Sequence, residues 1–309
     1  MTAPRHLFRS PADVVDRLRA EAYLADEMTG LTVFIAQQLE KPLLVEGPAG
    51  VGKTELARSV ATATGSRLIR LQCYEGLDES KALYEWNYKK QLLRIQSDER
   101  QEWSELEGDI FSDAFLLARP LLAAIQADEP VVLLIDEIDR LEVEAEALML
   151  EVLADFQVTI PELGTIVAKR RPLVFLTSNN TRDLSEALKR RCLFLPLDYP
   201  SVEREREILV TRVVGLSVSL ADQVSQLVRS IRALDLKKPP SISETIDWAR
   251  TLLLLGTESI GPADAPGTIH VLLKYEADIE KARRELLGEV DKPGPTTLDG
   301  FRASTPRAG

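Results

Sequence analysis

Cysteine is scarce in this chain, and its two copies are not at metal-like spacing. Cys73 and Cys192 sit among apolar neighbours, so they read as small buried hydrophobes rather than a disulfide, and a reducing, cytoplasmic compartment is expected. Long apolar runs are missing too. Met1 to His6 lacks the hydrophobic stretch of a signal peptide, and Leu252 to Leu255 is far too short to span a bilayer; neither secretion nor a transmembrane segment is expected. Basic residues are in deficit, with 38 Lys and Arg against 49 Asp and Glu, a formal charge of −11. That balance opposes broad attraction to nucleic acid or anionic lipid, so protein partners are expected and nucleic acid is not. No internal repeat recurs. What is present, 309 residues that are 45 % hydrophobic and 28 % charged, suffices for a large core and a smaller one.

The strongest local signal is Gly47-Pro48-Ala49-Gly50-Val51-Gly52-Lys53-Thr54, entered from the apolar run Leu43–Val45 and left through a helical pattern from Glu55. Such a loop curls successive backbone N–H groups around phosphate oxygens. Lys53 is placed to reach the β and γ phosphates, and the Thr54 hydroxyl can hold magnesium at the positive end of the following helix. The expected ligands are therefore a nucleoside triphosphate and Mg2+. A GTPase would carry an Asn-Lys-x-Asp base-recognition segment; none is present, so the nucleotide is read as ATP.

Short apolar runs alternate with helical stretches. Leu43–Val45, Leu68–Leu71, Val131–Ile135, Leu173–Leu176 and Leu193–Leu197 are near-continuously apolar, as parallel strands covered on both faces require. After Asp198-Tyr199-Pro200 strand signals stop and helical spacing takes over, as in Val224, Leu227, Val228 and Ile231. The division is placed there, giving an α/β domain over 1–200 and a helical domain over 201–288. Ser241 and Glu244 form a capping-box pattern that starts a helix, Gly256 stops it, and a last helix is expected to run up to Gly288. Residues 289–309, rich in Pro, Gly and Thr, read as a disordered tail.

Three further constellations fit nucleotide chemistry. Val131 to Ile135 leads into Asp136 and Glu137: the first suits the magnesium shell, the second a general base that polarises water, which points to hydrolysis. Leu173 to Ser178 ends in Asn179, whose amide suits a hydrogen bond to the γ-phosphate or the lytic water; starting a turn with Asn180 is the alternative. Arg190 and Arg191 close a short helix before the fifth strand. They either complement that helix's negative end or act as an arginine finger, which far from its own loop would serve a neighbour's site and predicts a ring.

With these pieces in order, residues 10 to 288 resemble an AAA+ ATPase of the MoxR group. The carriers are Glu46–Thr54, Ile135–Asp139, Thr177–Asn179, Glu186–Arg191 and Gln157–Ile160. Leu71–Asp78 and Tyr84–Lys90 are further similar to the CoxD-like branch, associated with maturing molybdenum-containing carbon monoxide dehydrogenase. The resemblance implies an AAA+ P-loop αβα sandwich with a parallel five-stranded sheet, an insertion at about 74–110, and a small all-α lid domain. It also implies a hexameric ring, ATP-driven remodelling of a protein client, metal-cofactor insertion into a molybdenum hydroxylase, and a partner with a von Willebrand factor A domain. A nucleic-acid-acting AAA+ protein, a loader or helicase-like subunit, is the competing reading, because clamp loaders also carry an arginine-cysteine pair like Arg191-Cys192; a nucleotide-gated scaffold is a third.

One position departs from the family pattern. Where a lid helix often carries a second sensor arginine, this chain has Ser243 and Glu244, and Arg250 two turns on reads as an exposed helical arginine. Two segments are candidates for partner contact. Phe156 to Ala168 reads as a hairpin turning at Pro161–Gly164, and Tyr84, Trp86 and Tyr88 alternate as if on one strand face beside Lys89 and Lys90, for which core packing and partner binding are both open.

Overall fold

The structure, a computed structural model, describes residues 8–97, 108–261 and 264–286. Nine strands occur among them: β1 Leu43–Glu46, β2 Arg67–Gln72, β3 Tyr84–Trp86, β4 Leu116–Ala118, β5 Val131–Asp136, β6 Gln157–Ile160, β7 Gly164–Val167, β8 Leu173–Ser178 and β9 Leu193–Pro196. The five apolar runs pair in parallel in the order β2-β5-β8-β1-β9. β5 and β8 are buried at every residue, as helices on both faces require.

Period-two alternation sorts the sheet between two cores. Along β5, Val131, Leu133 and Ile135 pack with Leu121, Leu122, Met149 and Val152 on one face. Val132 and Leu134 pack on the other with Leu56 and Val60 of the helix Lys53–Thr64 and with Val14 and Val33 from the first two helices, Pro11–Ala20 and Glu27–Leu39. The fold is thus the expected αβα sandwich with a parallel five-stranded sheet, followed by a helical region.

That region contains helices Val202–Arg212, Val218–Arg232, Ile242–Leu254, Asp264–Leu272 and Glu276–Leu286 around a third core. Val224, Val228 and Ile231 are buried in it and Leu227 packs against it, so the helical spacing marked the inward face. Ser241 and Glu244 make the reciprocal capping box, and the helix stops before Gly256, which adopts φ +72°. The helical region meets the sandwich through an Arg212–Glu55 ion pair at 2.7 Å and through close packing of Ser241 on the phosphate-loop candidate.

Several local expectations change. The last helix runs to Leu286, the last described residue there, and both its expected end at Gly288 and the tail expected over 289–309 lie outside the described residues. The aromatic alternation does not form one strand face. β3 ends at Trp86, and Tyr88 starts the helix Tyr88–Ser97, where it is exposed. Trp86 is buried, meeting Tyr84 and Phe111 edge-on at ring separations of 6.4 and 5.3 Å. Pairing of β3 with β4 explains the break, since Trp86 is the last residue with a cross-strand partner, Leu116. The β6–β7 hairpin is present, with Ile160 opposite Gly164. Both cysteines are free thiols; Cys73 is buried and Cys192 half-buried. Among the described residues, no helix is long and apolar enough to cross a membrane.

Candidate active site

The loop Gly47–Thr54 links β1 to the helix Lys53–Thr64, and its glycines are needed for two different reasons. Gly50 and Gly52 adopt φ +74° and +104°, which side chains disfavour. At Gly47 the limit is space: a Cβ there would lie 1.8 Å from the Leu197 carbonyl oxygen. Val51 is buried and pins the loop, while Pro48 turns its carbonyl inward.

Lys53 is buried, and its ammonium donates to Gly47 O and Pro48 O at 2.7 Å each and to Asn179 Oδ1 at 2.8 Å. Burial holds its pKa below the usual lysine value, opposed by the charges of Asp139, Asp136, Glu137 and Glu46. Thr54 Oγ1 donates to Asp136 Oδ1 at 2.9 Å, which places the loop's hydroxyl directly against the end of β5.

Asp136 and Glu137 face the loop but are held differently. Asp136 is buried; its Oδ1 also accepts from Thr177 Oγ1 at 2.5 Å, and its Oδ2 accepts from Arg70 Nε at 3.1 Å and Nη2 at 2.5 Å. Glu137 turns away from the strand in left-handed backbone, φ 57° and ψ 49°. Its N–H donates to Thr177 Oγ1, and its Oε2 accepts from Gln72 Nε2 at 3.1 Å and pairs with Arg140 at 2.8 Å.

Asn179 follows β8, and its backbone N–H donates to Asp139 Oδ2, as do the Thr181 N–H and hydroxyl. Burial alone would raise the Asp139 pKa, but these donations bring it below the usual carboxylate value. The sequence reading gave no role to Arg70, Gln72, Thr177, Asp139 or Arg140. A signal existed for the first two, because polar side chains at alternate positions of an otherwise apolar strand must face something polar.

Loop, acids and Asn179 enclose one cleft of about 270 Å³, which Arg58 and Ser243 also line. Arg190 and Arg191 do not reach it. Both are exposed on the helix Glu186–Arg191; Arg191 donates to its own helix at Ala187 O and Arg190 stands 3.9 Å from Glu186. Arg250 is also away from the cleft, exposed and 3.5 Å from Asp247.

The donor set fits a magnesium nucleotide. A hydroxyl and a carboxylate in contact, Thr54 and Asp136, are the all-oxygen pair that a hard cation prefers. Among the described residues no group of three His, Cys, Asp or Glu could hold a metal, so phosphate and water would complete the shell. The buried cation Lys53 and a backbone curl accessible only to glycine suit phosphate oxygens.

Residues 43–195 match the family described as "ATPase family associated with various cellular activities (AAA)". An uncharacterised protein of Staphylococcus haemolyticus is 24 % identical over 222 residues, covering 70 % of this chain and 76 % of its own. One from Staphylococcus aureus is 26 % identical over 219 residues, covering 63 % and 76 %. Among solved structures, the RuvB Holliday junction branch migration motor of Thermotoga maritima is 19 % identical with a TM-score of 0.45, covering 87 % of this chain and 74 % of that one.

Proposed function

We propose that the chain hydrolyses ATP to ADP and phosphate in a magnesium-dependent reaction, a reading supported by the match of residues 43–195 to the AAA ATPase family. The observation that carries this reading is convergence: Lys53, Thr54, Asp136, Glu137 and Asn179, drawn from two parallel strand ends and one loop, line a single cleft. The loop N–H groups and Lys53 bind the phosphates. Thr54 and Asp136 would hold magnesium, which would neutralise phosphate charge. Glu137 accepts a proton from water, and Asn179 orients the terminal phosphate or that water. Arg191, with Arg190 beside it, is assigned to the site of a neighbouring copy, because both arginines are exposed outside their own cleft; a ring, taken as a hexamer, follows.

At the finer level we read the chain as a MoxR-type AAA+ chaperone that remodels a protein client. The supports are the sequence segments Leu71–Asp78 and Tyr84–Lys90 and the acidic balance, which disfavours nucleic acid. A von Willebrand factor A domain partner and a molybdenum enzyme as client belong to the same proposal.

The test is magnesium-dependent ATP turnover against protein concentration for wild type, Glu137→Gln and Arg191→Ala. Turnover per chain that rises with concentration, and is lost in both variants while ATP still binds, supports the assignment. Wild-type turnover no faster than that of Glu137→Gln at every concentration rejects hydrolysis by the chain alone.

A further inference from the structure

Helix Glu186–Arg191 is six residues long, too short to hold an orientation without outside contacts. Leu184 and Leu188 bury its underside, but apolar contact fixes depth better than direction. The directional contacts come from Glu146, a fully buried carboxylate on the helix Val143–Asp155. Its Oε2 accepts the backbone N–H of Ser185 at 3.1 Å, and Ser185 is the residue whose hydroxyl caps the arginine helix at Leu188 N. Its Oε1 lies 2.5 Å from Arg182 Nη2, and Arg182 reaches back to the Leu141 carbonyl through Nε at 2.9 Å. Both ends of the loop between Asn179 and Ser185 are therefore tied to the segment that follows Glu137: Asp139 holds residues 179 and 181, and Glu146 holds 182 and 185.

The Arg182–Glu146 pair adds charge attraction, while direction is set by the Ser185 N–H on Glu146 Oε2 and by the bond from Arg182 to the Leu141 carbonyl. We propose that Glu146 and Arg182 are positioning residues, a clamp that aims Arg190 and Arg191 at the neighbouring copy's nucleotide. The inference rests on the reading that these arginines act across an interface. Misplacement of such a group by about 1 Å lowers rate roughly a hundredfold without touching the donor subunit's own cleft.

The test is subunit complementation. Glu146→Ala and Arg182→Met, each checked for wild-type thermal melting and binding of a fluorescent ATP analogue, are assayed alone and mixed with Glu137→Gln chains, which lack the base but carry intact arginines. Each clamp variant alone is expected to turn over ATP roughly ten- to a hundredfold more slowly than wild type. Mixing should restore turnover, because Glu137→Gln chains supply arginines to the variants' intact clefts, and Glu146→Gln, which keeps an acceptor oxygen for Ser185 but loses the charge facing Arg182, should be slowed no more than Arg182→Met. Arg191→Ala mixed with Glu137→Gln is the control. If the control regains activity and the clamp variants do not, or if they are as active alone as wild type, the clamp is overturned. If the control itself regains nothing, the arginine reading falls and the clamp with it. Should Glu146→Ala fail to fold, Arg182→Met decides.

Discussion

Lys53 Nζ lies 2.8 Å from Asn179 Oδ1, and this bond takes the last of the lysine's three protons, the other two being donated to Gly47 O and Pro48 O. Phosphate must therefore displace at least one internal acceptor before Lys53 can bind it. The amide is the movable one, because the two carbonyls belong to the loop itself. Asn179→Ala frees a proton while removing a group that orients the reacting atoms. The expected result is ATP affinity equal to or tighter than wild type with turnover lowered about a hundredfold. Equilibrium binding and steady-state rates measured on the same preparation check it; a loss of affinity as large as the loss of rate contradicts it.

Glu137 supplies a second prediction through its backbone. At φ 57° and ψ 49° it occupies a region where a side chain costs about 1–2 kcal/mol and a β-branched one more. Glu137→Gly is expected to melt within a few degrees of wild type and to show no turnover, whereas Glu137→Val should melt clearly lower. Calorimetry separates the cases, and equal melting of the glycine and valine variants would remove the backbone argument.

Trp86 is placed in the core by its ring contacts with Tyr84 and Phe111. Trp86→Ala is expected to cost about 3–5 kcal/mol in chemical denaturation. Tyr88→Ala, at an exposed helical position, should change stability by less than about 0.5 kcal/mol. The reverse order would return Trp86 to the surface.

These cases show what a linear reading captures. The positions of the Gly47–Thr54 loop, Asp136, Glu137, Asn179 and the core strands were legible because each rests on a pattern local in sequence: a glycine curl, a buried run ending in a polar group, an alternation. Arg70 on Asp136 and Gln72 on Glu137 join residues 66 and 65 positions apart, and depend on β2 lying beside β5. Sequence order says that two strands are adjacent in the chain, not that they are adjacent in the sheet. The aromatic stripe failed for a local reason, since alternation over Tyr84, Trp86 and Tyr88 assumes one extended strand and the chain enters a helix at Tyr88. Glu146 gave no signal at all, because an acidic residue on a helix is usually solvated.

Both thiols carry a pH signature. Burial pushes Cys73 and Cys192 up to about 12, so the folded chain holds those protons more tightly than the unfolded one. Their contribution to stability is complete below the ordinary thiol value of about 8.5 and declines as pH rises towards 12. In the native chain at about pH 8.5, both should react with a maleimide at least roughly a hundredfold more slowly than after unfolding. A fast-reacting native thiol would show that its burial is not maintained in solution.

Gly50 tests whether the helical region docks on the phosphate loop in solution. A methyl group at this position would lie 2.4 Å from Ser241 Cβ and 2.5 Å from its hydroxyl, and the backbone angle of +74° already disfavours any side chain. Either the loop loses its curl or the helix that starts after Ser241 moves away, and both routes disturb the cleft, which Ser243 lines. Gly50→Ala should therefore weaken ATP binding by at least about tenfold, since a tenfold loss needs only 1.4 kcal/mol. Ser241→Gly separates the two routes. It relieves the contact with the added methyl at the expense of a cap that glycine replaces at a few tenths of a kcal/mol. If the double variant recovers most of the affinity, the contact between loop and helix is what Gly50 protects. If it recovers none, the left-handed backbone alone requires the glycine, and the position of the helix has no bearing on nucleotide binding.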